Sequence, residues 1–204
     1  MAFEIELKAW VDDRETVERR IGELADLTAD FRKEDRYWVP DSSVAARRAA
    51  PVSGVRVRRE TVTARDGSTE SFTLVTYKTK EVRNGLEINE EKEFSLKAPP
   101  ESQSRADGEE AAVRAFEELL GRLGLVPGMS KKKEGRAWKY GSITVELSEL
   151  DRLGCFLELE ILTDNGSAET VELARESLLG LLALIGIKKD RIETRYYNEM
   201  LAKL

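Results

Sequence analysis

Hydrophobic and polar side chains alternate along several short segments of the chain, beginning near the N-terminus. Phe3, Ile5, Leu7 and Ala9 occupy every second position there, and mostly charged residues lie between them. Side chains point to opposite faces of a strand with a period of two residues. Residues 3–10 are therefore predicted to form a strand with one apolar and one ionic face. Similar patterns predict seven more strands, at residues 36–39, 55–62, 71–80, 87–96, 133–140, 143–150 and 155–162.

Other segments repeat their apolar residues with the helical period of about 3.6 residues. This period predicts four helices, at residues 12–27, 109–123, 168–184 and 190–204. An Asp-Gly pair within residues 64–70 and an Asn-Gly pair at residues 84–85 predict turns between strands. Residues 40–54 show no clear period and are predicted to form a loop, and residues 98–108 a linker or crossover.

The order of these elements predicts an α+β fold, in which helices pack around a large antiparallel sheet. A chain of 204 residues is long enough for one domain with a substantial core. We therefore expect a single domain over residues 1–204. If the sheet curls into a barrel, its apolar faces can meet the helices and its ionic faces can meet one another in the lumen.

Composition excludes several classes of function. The 39 acidic and 33 basic residues give a net charge of −6, so no overall positive field favours nucleic acid or an anionic membrane. The absence of histidine excludes Ser-His, Cys-His and imidazole-zinc chemistry. Cys155 is the single cysteine, which excludes an internal disulfide. Without an apolar signal segment or a membrane span of about 20 residues, a cytoplasmic location is expected.

Charged pairs recur on the strand faces that lie opposite the apolar ones. One pair alone could face solvent, because antiparallel sheets are often wet on one side. The repetition over several strands favours an ionic lumen, where buried charges need one another, water, metal ions or a charged ligand. A polyphosphate with divalent cations would satisfy both signs. The pairs are Glu4 and Glu6, Arg56 and Arg58, Glu91 and Glu93, and Glu158 and Glu160.

The segment EIELK at residues 4–8 resembles the ExExK signature of the CYTH domain family, named for class IV adenylyl cyclase and thiamine triphosphatase. This family belongs to the triphosphate tunnel metalloenzymes. Further segments resemble its other motifs in the expected order, at residues 35–38, 55–59, 72–78, 90–93 and 153–160. The resemblance covers nearly the whole chain and implies a closed or nearly closed antiparallel eight-stranded β-barrel with helices packed outside.

The chain departs from the family pattern at two places. Ser148 stands where the family commonly has an aspartate, and Glu146, Glu149 and Asp151 are the nearby acids. The family's Lys-x-Arg strand corresponds to residues 131–136, where Arg136 is the first choice for the phosphate-binding cation and Lys133 the second. The three consecutive lysines at the start of that segment are otherwise interpreted as a solvated loop.

The resemblance implies a role for each candidate residue. Three residues are assigned to catalysis: Glu4, Glu6 and Lys8. Seven acidic residues are assigned as ligands of Mg²⁺ or Mn²⁺: Glu4, Glu6, Glu91, Glu93, Glu146, Glu158 and Glu160. Six basic residues are assigned to substrate binding: Lys8, Arg56, Arg58, Lys78, Lys133 and Arg136.

The favoured function is metal-dependent hydrolysis of inorganic tripolyphosphate, a nucleoside triphosphate or thiamine triphosphate. The first alternative is a class IV adenylyl cyclase, which converts ATP to cyclic AMP and pyrophosphate in a cavity of the same kind. The second is a non-catalytic polyphosphate-binding module. The expected partner is a small molecule that contains a triphosphate, with no nucleic acid or membrane, in a monomer or homodimer.

Overall fold

The computed structural model describes residues 2–41, 54–83, 85–97 and 104–204. Its strands are β1 (Ala2–Trp10), β2 (Asp26–Pro40), β3 (Val55–Ala64), β4 (Thr69–Arg83), β5 (Leu86–Leu96), β6 (Leu125–Tyr140), β7 (Ile143–Leu150) and β8 (Gly154–Thr163). Its helices are α1 (Arg14–Leu24), α2 (Arg105–Arg122), α3 (Ala168–Ile185) and α4 (Tyr197–Leu201), with a 3₁₀ turn at Lys189–Arg191. Most of the predicted loop and linker, and Asn84 of the second predicted turn, lie outside the described residues.

The eight strands form a closed antiparallel barrel in the order β1-β5-β4-β3-β2-β6-β7-β8. The predicted α+β barrel with helices on its outside is confirmed. In its register, Glu6 lies opposite Glu87 on β5 and opposite Glu160 on β8. Because side chains alternate along a strand, a shift by one residue would turn every charge to the opposite face. The register therefore fixes which charges meet in the lumen.

The apolar faces of the strands pack beneath the helices. Ile5, Leu7 and Leu159 are almost fully buried in one cluster with Leu178 and Leu182 of α3. Helix α1 contributes apolar side chains to the same cluster. Helix α2 packs Val113 and Leu120 against Val57 of β3. On these strands the helices cover the outer faces, and the ionic faces turn inward.

Strands β2 and β6 are much longer than predicted. β2 extends over Asp26–Pro40 and β6 over Leu125–Tyr140, whereas the sequence pattern predicted only residues 36–39 and 133–140. The two strands pair with each other along most of their length. Their outer faces are largely exposed and their inner faces carry charges. Apolar residues alternate with polar ones only at Leu27, Ala29 and Phe31 of β2, and charged inner residues follow.

The predicted C-terminal helix over residues 190–204 is wrong for most of its length. The chain forms only the 3₁₀ turn and the five-residue α4 there. Between them the backbone N–H of Glu193 donates to the carbonyl of Lys8, and Ile192 bridges to Ala9. This pairing with the end of β1 keeps the connecting segment extended and brings α4 to one end of the barrel.

Helix α2 begins inside the segment that was predicted to be a linker. Ser104 caps it, because its hydroxyl oxygen accepts a hydrogen bond of 3.1 Å from the backbone N–H of Asp107. At its other end the backbone turns left-handed at Gly124, where φ is 83°. No helix in the described ranges is both long and apolar enough to span a membrane.

Candidate active site

The barrel encloses a cavity of about 310 Å³ to which every strand contributes at least one side chain. Most of the lining residues are charged, as the alternating pattern predicted. The C-terminal segment also reaches the cavity through residues 196–199. A closed sheet with helices on its outside thus concentrates both signs of charge in one small space.

The two signs lie on opposite sides of the barrel. Strands β7, β8, β1 and β5 are neighbours and supply acidic lining residues: Glu146, Glu158, Glu160, Glu4, Glu6 and Glu87. Strands β4, β3, β2 and β6 are neighbours and supply cationic ones: Lys78, Arg56, Arg58, Lys33, Lys131 and Lys133. We call these the acidic wall and the cationic wall. Lys8 of β1 is a cation on the acidic wall.

Like charges lie directly opposite one another on both walls. Glu6 pairs in register with Glu87 on one side and Glu160 on the other, and Lys33 pairs with Lys133. Like charges at such cross-strand positions are destabilising. The arrangement is unfavourable for the barrel alone and suits a cavity that receives a cation at one wall and an anion at the other.

Asp35 organises one part of the cationic wall. Its carboxylate accepts hydrogen bonds of 2.6 and 2.9 Å from the guanidinium of Arg58. The Nζ atom of Lys131 lies 3.4 Å from the same carboxylate. Burial disfavours the charged form of Asp35, but Arg58 and Lys131 outweigh that effect and hold the pKa of this carboxyl well below its usual range. Burial lowers the pKa of Lys131 to about 8 despite Asp35, and Arg58 and Arg56 add to the decrease.

Lysines of the cationic wall reach across to carboxylates of the acidic wall. Lys78 donates to Glu4 at 2.6 Å. Burial opposes ionisation of Glu4, but Lys78 overcomes it and lowers the pKa to about 2. Glu146 lies 2.6 Å from Lys33 and 2.7 Å from Lys133. Lys133 also pairs with Glu158.

Other carboxyl groups of the acidic wall have too little cationic compensation. Burial, followed by the charges of Glu4 and Glu146, raises the pKa of Glu160 to about 8. Burial, followed by Glu87 and Glu158, raises the pKa of Glu6 well above its usual value. The acidic wall therefore has unbalanced negative charge that a proton or a metal cation can neutralise.

The chemistry of the acidic wall fits a divalent cation. Mg²⁺ and Mn²⁺ prefer carboxylate oxygen ligands, and several converge here. Within the part of the chain that the structure describes, no three acidic side chains are already grouped as metal ligands. Several of their oxygens instead accept from lysines, which serve as the counter-ions in this arrangement.

Ten of the predicted site residues line the cavity together: Glu4, Glu6, Lys8, Arg56, Arg58, Lys78, Lys133, Glu146, Glu158 and Glu160. Glu91 and Glu93 lie beyond this lining. Glu91 forms an ion pair with Lys78, and Glu93 accepts a 2.7 Å hydrogen bond from the hydroxyl of Thr76. These two acids hold Lys78 and Thr76 of β4, and the carboxylate that β5 itself supplies to the cavity is Glu87.

The placement of Arg136 in the substrate site is wrong. Its guanidinium lies 2.9 Å from Asp30 and also contacts Glu18 of α1, on the outer surface of the barrel. Lys131 and Lys133 face the lumen, so Arg136, which is an odd number of positions away, faces outward. Because side chains alternate along β6, Lys131 takes the place of Arg136 among the cations that line the cavity.

Sequence reasoning missed other lining residues. Lys131 was interpreted as part of a solvated loop, yet its side chain is only 10% exposed within β6. The alternation of Lys131 with Lys133 was the signal that could have revealed it. Lys33 and Glu87 follow the same period-two pattern, and Glu87 forms a buried ion pair with Lys8. Tyr197 had no comparable signal, because the fold of the C-terminal segment brings it to the cavity.

Ser148 stands where the family commonly has an aspartate, but β7 still supplies one carboxylate to the cavity. Ser148 is fully buried, opposite Gly135 and Phe156, and is not among the cavity-lining residues. Glu146, two residues earlier on the same face, is the acid that β7 supplies to the cavity.

Comparisons with known proteins agree with this architecture. The family model described as the CYTH domain matches residues 2–197. The PH1819 protein from Pyrococcus horikoshii has 22% sequence identity and a TM-score of 0.71, with 98% of each chain covered. A candidate adenylate cyclase from Vibrio parahaemolyticus has 17% identity and a TM-score of 0.69, again with 98% of each chain covered.

A third solved structure is that of a candidate adenylyl cyclase from Hippeastrum with a dominant triphosphatase activity. It has 15% identity and a TM-score of 0.61, and the alignment covers 99% of this chain and 94% of that one. At these identities the likeness establishes a common fold. No curated protein is significantly similar to the chain in sequence.

Proposed function

The chain belongs to the CYTH domain family, and from that premise we propose that it is a metal-dependent hydrolase that cleaves a triphosphate inside its barrel. Members of the wider superfamily act as triphosphatases or adenylyl cyclases, and the tunnel enzymes among them depend on a metal. The proposal for this chain concerns the reaction, its substrate and the residues that perform it.

The observation that carries the proposal is the segregation of charge between the two walls of the cavity. A triphosphate is a polyanion that binds divalent cations, so its complex with metal presents both signs to the protein. The cationic wall can hold phosphate oxygens while the acidic wall holds the metal. A ligand of one sign alone would leave the buried charges of the other wall unbalanced.

We assign phosphate binding to the cationic wall and to Lys8. Arg56 and Arg58 can each bind two oxygens through the fork of the guanidinium group. Lys131 replaces Arg136 in the predicted set because it lines the cavity. These groups would hold the substrate in one orientation and neutralise the charge that develops on the phosphoryl oxygens during the reaction.

We assign metal binding to carboxylates of the acidic wall: Glu4, Glu6, Glu146, Glu158 and Glu160. When bound, the divalent cation would neutralise phosphate charge and favour ionisation of a bound water molecule. In the proposed reaction, a water oxygen forms a bond to the terminal phosphorus. The anhydride bond on the opposite side breaks, the diphosphate leaves with the bonding electron pair, and a proton of the attacking water passes to the diphosphate or to solvent. The residues of the chain contribute mainly by positioning and electrostatics, which needs no histidine base.

Product analysis tests this function directly. The purified protein is incubated with tripolyphosphate, ATP or thiamine triphosphate in the presence of Mg²⁺ or Mn²⁺, and the products are separated. We expect inorganic phosphate and the corresponding diphosphate. Cyclic AMP and pyrophosphate as the main products from ATP would instead identify a cyclase. Tight tripolyphosphate binding without turnover under either metal would identify a non-catalytic binding module.

Glu158→Gln provides the test of the site. The change removes a carboxylate charge from the acidic wall and preserves the shape of the side chain, and Lys133 keeps Glu146 as a partner. We expect loss of at least about 100-fold in kcat with a nearly unchanged melting temperature. Glu149→Gln, whose side chain is exposed at the outer side of β7, is the matched control and should keep full activity. Equal activities of the two variants would refute the site assignment.

A further inference from the structure

A row of three polar side chains crosses the neighbouring strands β3, β4 and β5. Arg56 lies directly opposite Thr76, and Thr76 lies directly opposite Glu93. Side chains at directly opposite positions share one face of the sheet and can contact one another. Arg56 and Thr76 line the cavity, and Glu93 lies beyond its lining. The register thus brings a guanidinium, a hydroxyl and a carboxylate together.

Thr76 connects the other two side chains through its hydroxyl group. Thr76 is 1% exposed, and its hydroxyl oxygen accepts a hydrogen bond of 3.0 Å from Nη2 of Arg56. The same hydroxyl donates to the carboxylate of Glu93 at 2.7 Å. A guanidinium can only donate and a carboxylate only accepts, so the direction of both hydrogen bonds is fixed. Glu93 also lies 3.6 Å from Nη2 of Arg56.

The other arginine on this face of β3 is held in a different way. Arg58 donates through Nε and Nη2 to the two carboxylate oxygens of Asp35. That contact covers one edge of its guanidinium with a negative charge. Arg56 has a neutral hydroxyl as its nearest partner, and its buried Nε has no acceptor among the described residues. Arg56 therefore keeps an N–H group for a ligand.

Arg56 also has like charges for neighbours. Arg58 follows two residues later on the same face, and both guanidinium groups act electrostatically on Lys131. An arginine side chain has several rotatable bonds, and ordering it costs conformational entropy. Without a contact that holds it, the guanidinium would turn away from its cationic neighbours. The hydroxyl of Thr76 supplies such a contact and leaves Nε unoccupied.

We propose that Thr76 is a positioning residue, which holds the guanidinium of Arg56 in the orientation that binds a phosphate oxygen of the triphosphate, and that Glu93 anchors Thr76. The inference rests on the proposed function, since it takes the same ligand in the same cavity. Thr76 acts through Arg56, so its contribution to binding should disappear when the guanidinium is removed. Glu93 in turn supports the cationic wall.

Thr76→Val tests the proposal because it removes the hydroxyl and retains the branched shape of the side chain. Tripolyphosphate binding is measured by calorimetry with Mn²⁺, together with steady-state kinetics and the melting temperature of the ligand-free protein. We expect binding to weaken about fivefold, as for the loss of one hydrogen bond. The Michaelis constant should rise by a similar factor with kcat nearly unchanged. Thr76→Ser keeps the hydroxyl and should restore affinity to within about twofold of the wild type.

A double-mutant cycle tests whether Thr76 acts through Arg56. Arg56→Met removes the guanidinium and should raise the Michaelis constant. Adding Thr76→Val to that variant should change it less than about twofold further, because interacting residues are not additive. A further fivefold loss, on the order of the single change, would mean that Thr76 contributes independently of Arg56 and would overturn the inference.

The anchor is tested in the same way. Glu93→Leu removes the acceptor of the Thr76 hydroxyl and should raise the Michaelis constant in the same direction as Thr76→Val. The two changes together should have no greater effect than Thr76→Val alone. Additive effects of the two changes would contradict the anchoring role of Glu93.

Thr61→Val is the matched control. The hydroxyl oxygens of Thr61 and Ser71 lie 2.9 Å apart on the same two strands, at an exposed position. Thr61 is an odd number of positions from Arg56 and therefore faces away from the lumen. The same atom is removed there, so tripolyphosphate affinity should be unchanged. A loss equal to that of Thr76→Val would indicate a general effect on the pairing of β3 with β4 and overturn the inference.

The outcomes separate this inference from the function on which it rests. Identical tripolyphosphate affinities of the wild-type protein and Thr76→Val would overturn the role of Thr76 and leave the proposed function standing. Weaker binding that accompanies a lowered melting temperature and is not restored in Thr76→Ser would assign a structural role and overturn the inference as well. Failure of the wild-type protein to bind tripolyphosphate would reject both.

Discussion

Lys131 and Arg136 lie five positions apart on β6, and their different environments follow from that spacing. Lys131 is directed at the lumen and its pKa is lowered to about 8, mainly by burial. Arg136 pairs on the outside with Asp30 and Glu18. An ammonium group near its pKa in the free protein will take up a proton when it meets a polyanion. The affinity for a triphosphate should therefore depend on pH through this residue.

Lys131→Met and Arg136→Met should differ in their effect on substrate binding. Lys131→Met should raise the Michaelis constant for tripolyphosphate about tenfold, whereas Arg136→Met should change it less than about twofold. In the wild-type protein Lys131 is charged below pH 8 and neutral above it, so the Michaelis constant should increase as the pH rises from 7 to 9.

The two variants serve as controls for the pH series. Kinetics are measured at each pH for the wild-type protein and for both variants, and Lys131→Met should lose the increase that Arg136→Met retains. A Michaelis constant that responds to Arg136→Met and not to Lys131→Met would restore the original assignment of Arg136.

At the scale of elements, the pairing of β6 with β7 depends on one glycine. A Cβ atom built at Gly135 would lie 2.2 Å from the carbonyl oxygen of Leu147 and 2.7 Å from Cα of Ser148. Both are backbone atoms of the neighbouring strand, so a side chain there must push the strands apart. Gly135 occupies the inward position after Lys131 and Lys133, and its small size allows β7 to approach closely.

Gly135→Ala should lower the free energy of unfolding by about 1–3 kcal/mol, as overpacking does in other tightly packed sites. Gly180→Ala is the matched control on the exposed face of α3, where no atom lies within 4 Å of the added Cβ. That change should stabilise the protein by about 0.5–1 kcal/mol because alanine favours the helix. Urea unfolding curves measure both, and a Gly135→Ala variant as stable as the parent would contradict the close approach.

At the scale of the whole molecule, the unbalanced acidic wall makes stability depend on pH. The pKa of Glu160 is raised from its usual 4.5 to about 8 in the folded protein, first by burial. Between these values the folded state binds more protons than the unfolded state, so stability decreases as the pH rises. Glu6 acts in the same direction. The chain has no histidine to add an imidazole titration in this range.

We therefore expect the free energy of unfolding without divalent ions to decrease from pH 5 to pH 8. Urea unfolding at each pH measures the slope, and Glu160→Gln should flatten it because the amide does not titrate. Mn²⁺ with tripolyphosphate should restore stability at pH 8, since a ligand that binds only the folded state stabilises it. Stability that is constant or increases over this range would contradict the raised pKa of Glu160.

The charged strand faces were readable from the chain because alternation is a local property. The spacing of Glu4 with Glu6, or of Glu158 with Glu160, requires only that each segment be extended. The resemblance to the family motifs further predicted a closed barrel, which the structure confirms. β6 was predicted too short because charges on its inner face and exposure on its outer face leave no apolar period to recognise. In β2 the alternation of Leu27, Ala29 and Phe31 was a readable signal that was missed.

By itself the sequence determined the fold class, the family and most of the side chains that share the cavity. Only the tertiary structure decided that the acidic and cationic strands form two separate walls, that Lys131 and not Arg136 faces the lumen, and that Tyr197 reaches the cavity. The physical reason is the range of the interactions. Alternation depends on neighbouring residues, whereas strand order, register and the position of α4 depend on pairing between residues far apart in the chain.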